Sequence, residues 1–286
     1  MTTQFFEDGR LDLDATAKHT EVVIESGVAG LVMLGSLGEN LALTPSEKEE
    51  VVKVALEVSN GRVPVVTGIA ENTADLARKW LDRAADMGAN GAMLLPAMVY
   101  KSDRRETLAH YRTVAKGSPL PIIAYNNPIG YGVDLTPDML SDLADLEQIV
   151  AIKESYGDVR RITDLINELG DRYVIFAGVD DLALECTMLG ATGWIAGIGL
   201  AFPKENQQLW DLMMAGEWEK ARELYRWYSP LLHLDVGLKF VQNIKLAIQE
   251  VGLGKEYVRM PRMTLTGDER ERVLGIIRKG LETRPA

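Results

Sequence analysis

The chain has 286 residues, 47% hydrophobic and 26% charged, with a net charge of −11. That composition fits a globular protein with a large core, and the acidic balance argues against nucleic acid or an anionic membrane as partner. A single cysteine, Cys186, excludes an internal disulfide framework, and His19, His110 and His233 are too scattered for a metal-ligand pattern. Taken in chain order, residues 2–6 form a very short strand candidate. More strongly apolar runs follow at 30–34, 64–68, 91–95, 121–125, 149–153, 173–177 and 193–197. They are short and non-alternating, as parallel strands covered on both faces should be. Amphipathic stretches separate them, and Thr44 with Glu47, or Ser46 with Glu49, offers capping chemistry at one helix start.

A strand–helix rhythm of about 25 to 30 residues suits either a closed (β/α)8 barrel or an open doubly wound sheet. No Gly-rich dinucleotide fingerprint follows the early strands, which favours the α/β class in its TIM-barrel form. Barrel closure then depends on residues 2–6. After Pro203 the pattern is helical, at 206–215, 217–227, 238–251 and 267–280. The expected organisation is a barrel over residues 1–202 with a helical region, 203–286, packed on it within the same domain. No apolar run reaches membrane-span length and the start is polar rather than signal-like, so the expectation is a cytoplasmic protein.

In such barrels chemistry gathers where the strands end. Lys153 ends the apolar run Ile149-Val150-Ala151-Ile152, where lost hydration favours the neutral amine that attacks a carbonyl. Read alone, Lys153 is equally an ordinary lysine emerging into solvent or paired with Glu154. Tyr125 ends the preceding run, followed by Asn126, Asn127 and Pro128. Gly35-Ser36-Leu37-Gly38-Glu39 follows the 30–34 run, and glycines beside a small hydroxyl expose amides to a carboxylate. Ser155, Gly178, Asp180 and Ile195 follow the last strands. Asp180 and Asp181 also read as helix caps, Glu39 as an acid or base or, more simply, a loop carboxylate bonding backbone amides, Asn127 as a turn residue, and Tyr100 either as a packed aromatic or as a group reaching a neighbouring mouth across a subunit contact.

These motifs, with Ile152-Lys153-Glu154-Ser155 and Gly193-Trp194-Ile195-Ala196-Gly197, resemble the dihydrodipicolinate synthase and N-acetylneuraminate lyase family along essentially the whole chain. The resemblance implies a Schiff-base enzyme needing no metal or cofactor, with Lys153 as nucleophile and Tyr125 as proton-transfer partner. It implies that Ser36 and the Ser36 and Leu37 amides hold a 2-oxo acid carboxylate, bordered by the Ile195 carbonyl. It also implies a homo-oligomer, dimer or tetramer. The chain departs from the synthase pattern at Leu37, where a second hydroxyl is usual, at Met98, where a phenol is usual, and at Gly130, where a guanidinium is usual. Gly197 likewise offers no hydroxyl to a polyhydroxylated sugar tail.

Residues 2–5, Gly38-Glu39-Asn40, Pro96-Ala97-Met98-Val99-Tyr100 and Leu231-Leu232-His233-Leu234-Asp235 look more like the branch that deaminates Δ1-pyrroline-4-hydroxy-2-carboxylate to 2-oxoglutarate semialdehyde. Alternatives are a pyruvate-dependent aldolase, a 2-keto-3-deoxy sugar acid dehydratase or aldolase, and, behind these, the synthase and the sialic-acid lyase. A non-catalytic 2-oxo acid sensor would keep the carboxylate loop but need no Tyr125. A phosphate-binding barrel finds only weak support in Gly197-Ile198-Gly199.

Overall fold

The apolar runs pair edge to edge because each buries main-chain polar groups that only a neighbouring strand can satisfy. A computed structural model describes residues 1–285. Its strands are β1 (Leu31–Met33), β2 (Val65–Ile69), β3 (Gly91–Leu94), β4 (Ile122–Asn126), β5 (Ile149–Glu154), β6 (Val174–Ala177) and β7 (Gly193–Trp194). They form one parallel sheet in chain order. The register sets Tyr125 of β4 directly beside Lys153 of β5, and Lys153 beside Phe176 of β6.

Of the two capping pairs expected at one helix start, the one built on Thr44 forms. Thr44 opens the helix Pro45–Ser59 with a reciprocal capping box to Glu47. One continuous apolar core lies between sheet and helices and runs from Met1 to Ile277, so it includes the C-terminal helices Pro203–Met214, Trp218–Leu232, Phe240–Glu250 and Gly267–Glu282. A second, smaller cluster joins Ala70, Met93, Leu95 and Tyr125 to Met98, Tyr131 and Ile195. Among the described residues no helix is long and apolar enough to cross a membrane.

The eighth strand expected at residues 2–6 does not form. Phe5 makes only an isolated bridge to Leu11. Gln4 instead accepts from Asp12 N at 2.9 Å and donates to the Thr16 hydroxyl at 3.2 Å, while Phe6 and Arg10 close a tight turn. These bonds fasten the segment to the first helix, Leu13–Glu25, and leave no main-chain ladder for a strand edge. No ladder joins β7 to β1 among the described residues, and a cavity of about 490 Å³ lies between them, lined by Leu31, Val32, Gly193 and Trp194. The fold is α/β with a curled, parallel, seven-stranded sheet.

Candidate active site

Because β4 and β5 pair in register, their terminal side chains share one face of the sheet. The Lys153 ammonium lies 4.4 Å from the centre of the Tyr125 ring. Asn127 donates from Nδ2 to the Tyr125 hydroxyl at 3.1 Å, and its Oδ1 accepts from Gly130 N at 2.8 Å. One side chain therefore caps the single helical turn Pro128–Tyr131 and orients the phenol. Asn126 points the other way, donating to both Glu154 oxygens at 3.0 and 3.1 Å. Burial lifts Glu154 to about 7, and its oxygens accept from Asn126 and from Tyr156 N at 2.7 Å, with no ion pair to Lys153 among the described residues.

The loop after β1 carries two non-glycine residues in left-handed conformation, Leu34 (φ 55°) and Glu39 (φ 52°). Strain of this kind persists only where the surroundings hold it. Here Asn40 Nδ2 grips the carbonyls of Leu34 (2.8 Å) and Gly68 (3.1 Å), and a side chain at Gly68 would collide with Leu34. Gly38 N and Glu39 N turn back onto Gly35 and Ser36 carbonyls, while Ser36 N and Leu37 N take no main-chain acceptor among the described residues. Those two amides are available to a carboxylate. Leu37 packs its side chain on the main core.

Glu39 does not face the site. It is fully buried against Lys245 at 2.7 Å and also accepts from Arg259 N at 3.1 Å. The expected amide bond is thus present, but the carboxylate's main office is to tie the loop to the C-terminal helix Phe240–Glu250. Gly178 is required as glycine, because a Cβ would collide with Ser155 Oγ and approach Lys153 Cγ. The Ser155 hydroxyl is buried without a partner. Asp180 caps no helix: it accepts from Gly197 N, Ile198 N at 2.8 Å and Trp194 Nε1 at 3.1 Å, bracing the turn after β7. Ile195 donates to Ala177 O at 3.0 Å and joins the Tyr125 cluster. Tyr100 is 59% exposed, not packed.

Three residues were missed by sequence reasoning. Tyr131 hydrogen-bonds Ser36 Oγ and meets the Tyr125 ring edge-on at 5.7 Å. Burial, ahead of the neighbouring Tyr125, pushes its phenol above the ordinary tyrosine range. Tyr131 thus brings a phenol to Ser36 from within the same chain, and Asn127-Pro128 starting a one-turn helix was its only sequence signal. Arg262 approaches Glu39 at 4.0 Å while remaining a third exposed. Asp235, from the turn His233–Asp235, reaches over Gly197. Both arrive from far along the chain; Asp235 closes the 231–235 motif, but nothing in that motif shows that it meets Gly197.

The model of the dihydrodipicolinate synthetase family matches residues 1–279. The chain belongs to that family. The 4-hydroxy-tetrahydrodipicolinate synthase of Methanothrix thermoacetophila is 30% identical over 282 residues, 97% of this chain and 94% of that one. Among solved structures, the pyruvate-complexed, chloride-inhibited dihydrodipicolinate synthase of Acinetobacter baumannii superposes with a TM-score of 0.93 at 30% identity, covering 98% of this chain and 96% of the other. The 4-hydroxy-tetrahydrodipicolinate synthase of Methylacidiphilum fumariolicum gives 0.94 at 27% identity, with 99% and 94% covered. The chain is thus a lyase-type family member of the Schiff-base aldolase class. These relatives carry the name of the synthase, which the sequence reading had ranked behind the deaminase.

Proposed function

We propose that this enzyme forms a Schiff base between Lys153 and a 2-oxo acid equivalent, and that its substrate is Δ1-pyrroline-4-hydroxy-2-carboxylate. The observation that carries the reading is the register of β4 and β5, which sets Tyr125 against Lys153 beside the Ser36 loop. The relative solved with pyruvate supports a 2-oxo acid as the reacting group. The sheet is read as a barrel of the (β/α)8 kind with its C-terminal helices in the same domain, a reading that the shared core and high superposition scores favour.

In this mechanism Lys153 Nζ attacks C2 of the cyclic imine, and the ring opens as the C2–N bond breaks. The protonated lysine imine withdraws electrons, so a C3 proton passes to Tyr125. The pair left at C3 forms the C3–C4 double bond as the C4 hydroxyl departs with a proton as water. Tautomerisation and hydrolysis then release ammonia and the lysine. The balance is substrate plus water giving 2-oxoglutarate semialdehyde plus ammonia.

A second reading, the condensing synthase, is favoured by the names of the relatives. Borohydride trapping with each candidate, read by mass on the Lys153 peptide and followed by turnover, separates the two. Absence of any adduct across a broad 2-oxo acid panel sinks the Schiff-base reading. An adduct with condensation and no ammonia release sinks the deaminase alone.

A further inference from the structure

Gly197, just past β7, is held between two carboxyls. Asp180, fully buried, accepts from Gly197 N at 3.0 Å and Ile198 N at 2.8 Å, with Trp194 Nε1 at 3.1 Å. Asp235 comes from the opposite direction, after the long helix Trp218–Leu232, and its carboxyl lies over the Gly197 Cα so closely that any side chain there would collide with it. The glycine that seemed merely to lack a hydroxyl is thus the space that admits an acid. Asp180 is saturated with donors, which stabilise its ionised form.

Both carboxyls approach Gly197, and two buried acids this close cannot both ionise cheaply, which favours the form carrying one proton. Burial, ahead of the neighbouring Asp180, pushes Asp235 well above the ordinary carboxylate range, and burial lifts Asp180 to about 6. The charges acting on Asp235 are Asp180 and Asp181 from the turn after β6 and Lys153 from β5. Asp181 is itself engaged with His233 Nδ1 at 2.7 Å, and the buried Tyr228 phenol feels both members of the pair. The turn that carries the pair adjoins the site through its backbone: Ile195, two residues before Gly197, packs in the Tyr125 cluster, and Asp180 follows β6, the strand that pairs with Lys153.

We propose that Asp235 is the general acid that protonates the C4 oxygen of the Lys153-bound substrate as the C4–O bond breaks. The proposal rests on the Schiff-base elimination above. Tyr125 takes the C3 proton, and the electron pair moves into the C3–C4 bond. The departing oxygen carries off the Asp235 proton as water, and the pair regains a proton from solvent. The arrangement selects substrates with a hydroxyl, or another group needing a proton to leave, two carbons from the imine.

The test compares the whole enzyme with Asp235→Asn, which retains the shape over Gly197. Adducts on Lys153 are read by borohydride and mass, C3 hydrogen exchange by NMR in deuterium oxide, and turnover by ammonia release. A parallel substrate carries 4-fluoro in place of 4-hydroxy, because fluoride leaves without a proton. The variant should keep adduct formation and C3 exchange within about threefold and lose about 10²-fold in ammonia release from the hydroxy compound, the scale of general acid catalysis. On the fluoro compound it should lose less than about tenfold. The wild-type kcat should fall as pH rises through the pair's titration, and this limb should vanish in the variant.

Unchanged ammonia release, an equal loss on both substrates, or loss of C3 exchange in a protein with a native melting profile overturns the proposal. If Asp235→Asn does not fold, the smaller Asp235→Ser is read by the same criteria, and failure of both to fold assigns Asp235 to structure and overturns it as well. Wild-type enzyme that traps pyruvate but releases no ammonia overturns the deaminase reading along with this one. Wild-type turnover retained in the variant overturns this one alone.

Discussion

Lys153 and Tyr125 are adjacent because two strands end in register, and the consequences differ for the two side chains. Lys153→Ala removes the proposed nucleophile, so turnover and the borohydride adduct should both vanish. Lys153→Arg should fail equally, since a guanidinium stays protonated. Tyr125→Phe keeps the ring against Lys153 but removes the hydroxyl oriented by Asn127, and should lower kcat about 10²-fold or more while the melting profile stays native. Unchanged kcat would make this phenol a packing group. Tyr131→Phe breaks the bond to Ser36 and leaves the edge-on contact with Tyr125, so kcat should fall by about tenfold or more with Lys153 trapping intact. That Lys153 and Tyr125 end neighbouring strands, and that Ser36 follows another, was legible in the sequence because each closes or follows an apolar run. Tyr131 was not, since its direction depends on one helical turn after Pro128, and Asp235 was not, since only the folded chain brings it to Gly197.

At the level of elements, the seven plain strands and four C-terminal helices follow from short apolar runs and 3.6-residue periodicity, signals that local burial enforces. The segment 2–6 was misread because apolar and β-prone residues there are captured by side-chain and turn partners on the first helix. That helix offers its own test. His19 is buried, its Nε2 bonded to Leu200 O at 2.8 Å and its Nδ1 without a partner. Burial lowers its pKa from 6.5 to about 4. Below pH 6.5 the unfolded chain takes up a proton that the folded chain refuses, so this stability is lost as pH falls from 6.5 towards 4. The loss amounts to about 3 kcal/mol. His19→Gln should be free of that component, which denaturant melts of both proteins at several pH values would read as a narrowing difference. The second test lies in the buried pair between Lys245 and Glu39. Lys245→Met leaves an uncompensated carboxylate under the Ser36 loop, and should cost about 3–5 kcal/mol in urea unfolding.

The whole molecule presents one family architecture with a changed set of groups at its mouth. Its parallel order and superposition tie it to the synthases, but the polar groups around Lys153 are distributed differently from the pattern the sequence was measured against. A phenol comes from Tyr131 rather than position 98, Gly130 holds only close contact with Asn127, and an acid reaches Gly197 from residue 235. The proposed substrate brings one carboxylate and its own C4 hydroxyl to those groups. The guanidinium of Arg262 sits beside Glu39 on the C-terminal segment, not at position 130. Ammonia release from Δ1-pyrroline-4-hydroxy-2-carboxylate should therefore be readily measured, and condensation of pyruvate with aspartate semialdehyde negligible. A site whose polar partners are missing for one substrate can discriminate by about 10⁴-fold, so kcat/KM for the two should differ on that scale. Efficient condensation with an inert pyrroline compound would reverse the substrate assignment and leave Lys153 standing. Arg262→Ala would then show whether that guanidinium holds the second carboxylate, through a raised KM for the aldehyde with the pyruvate adduct unchanged.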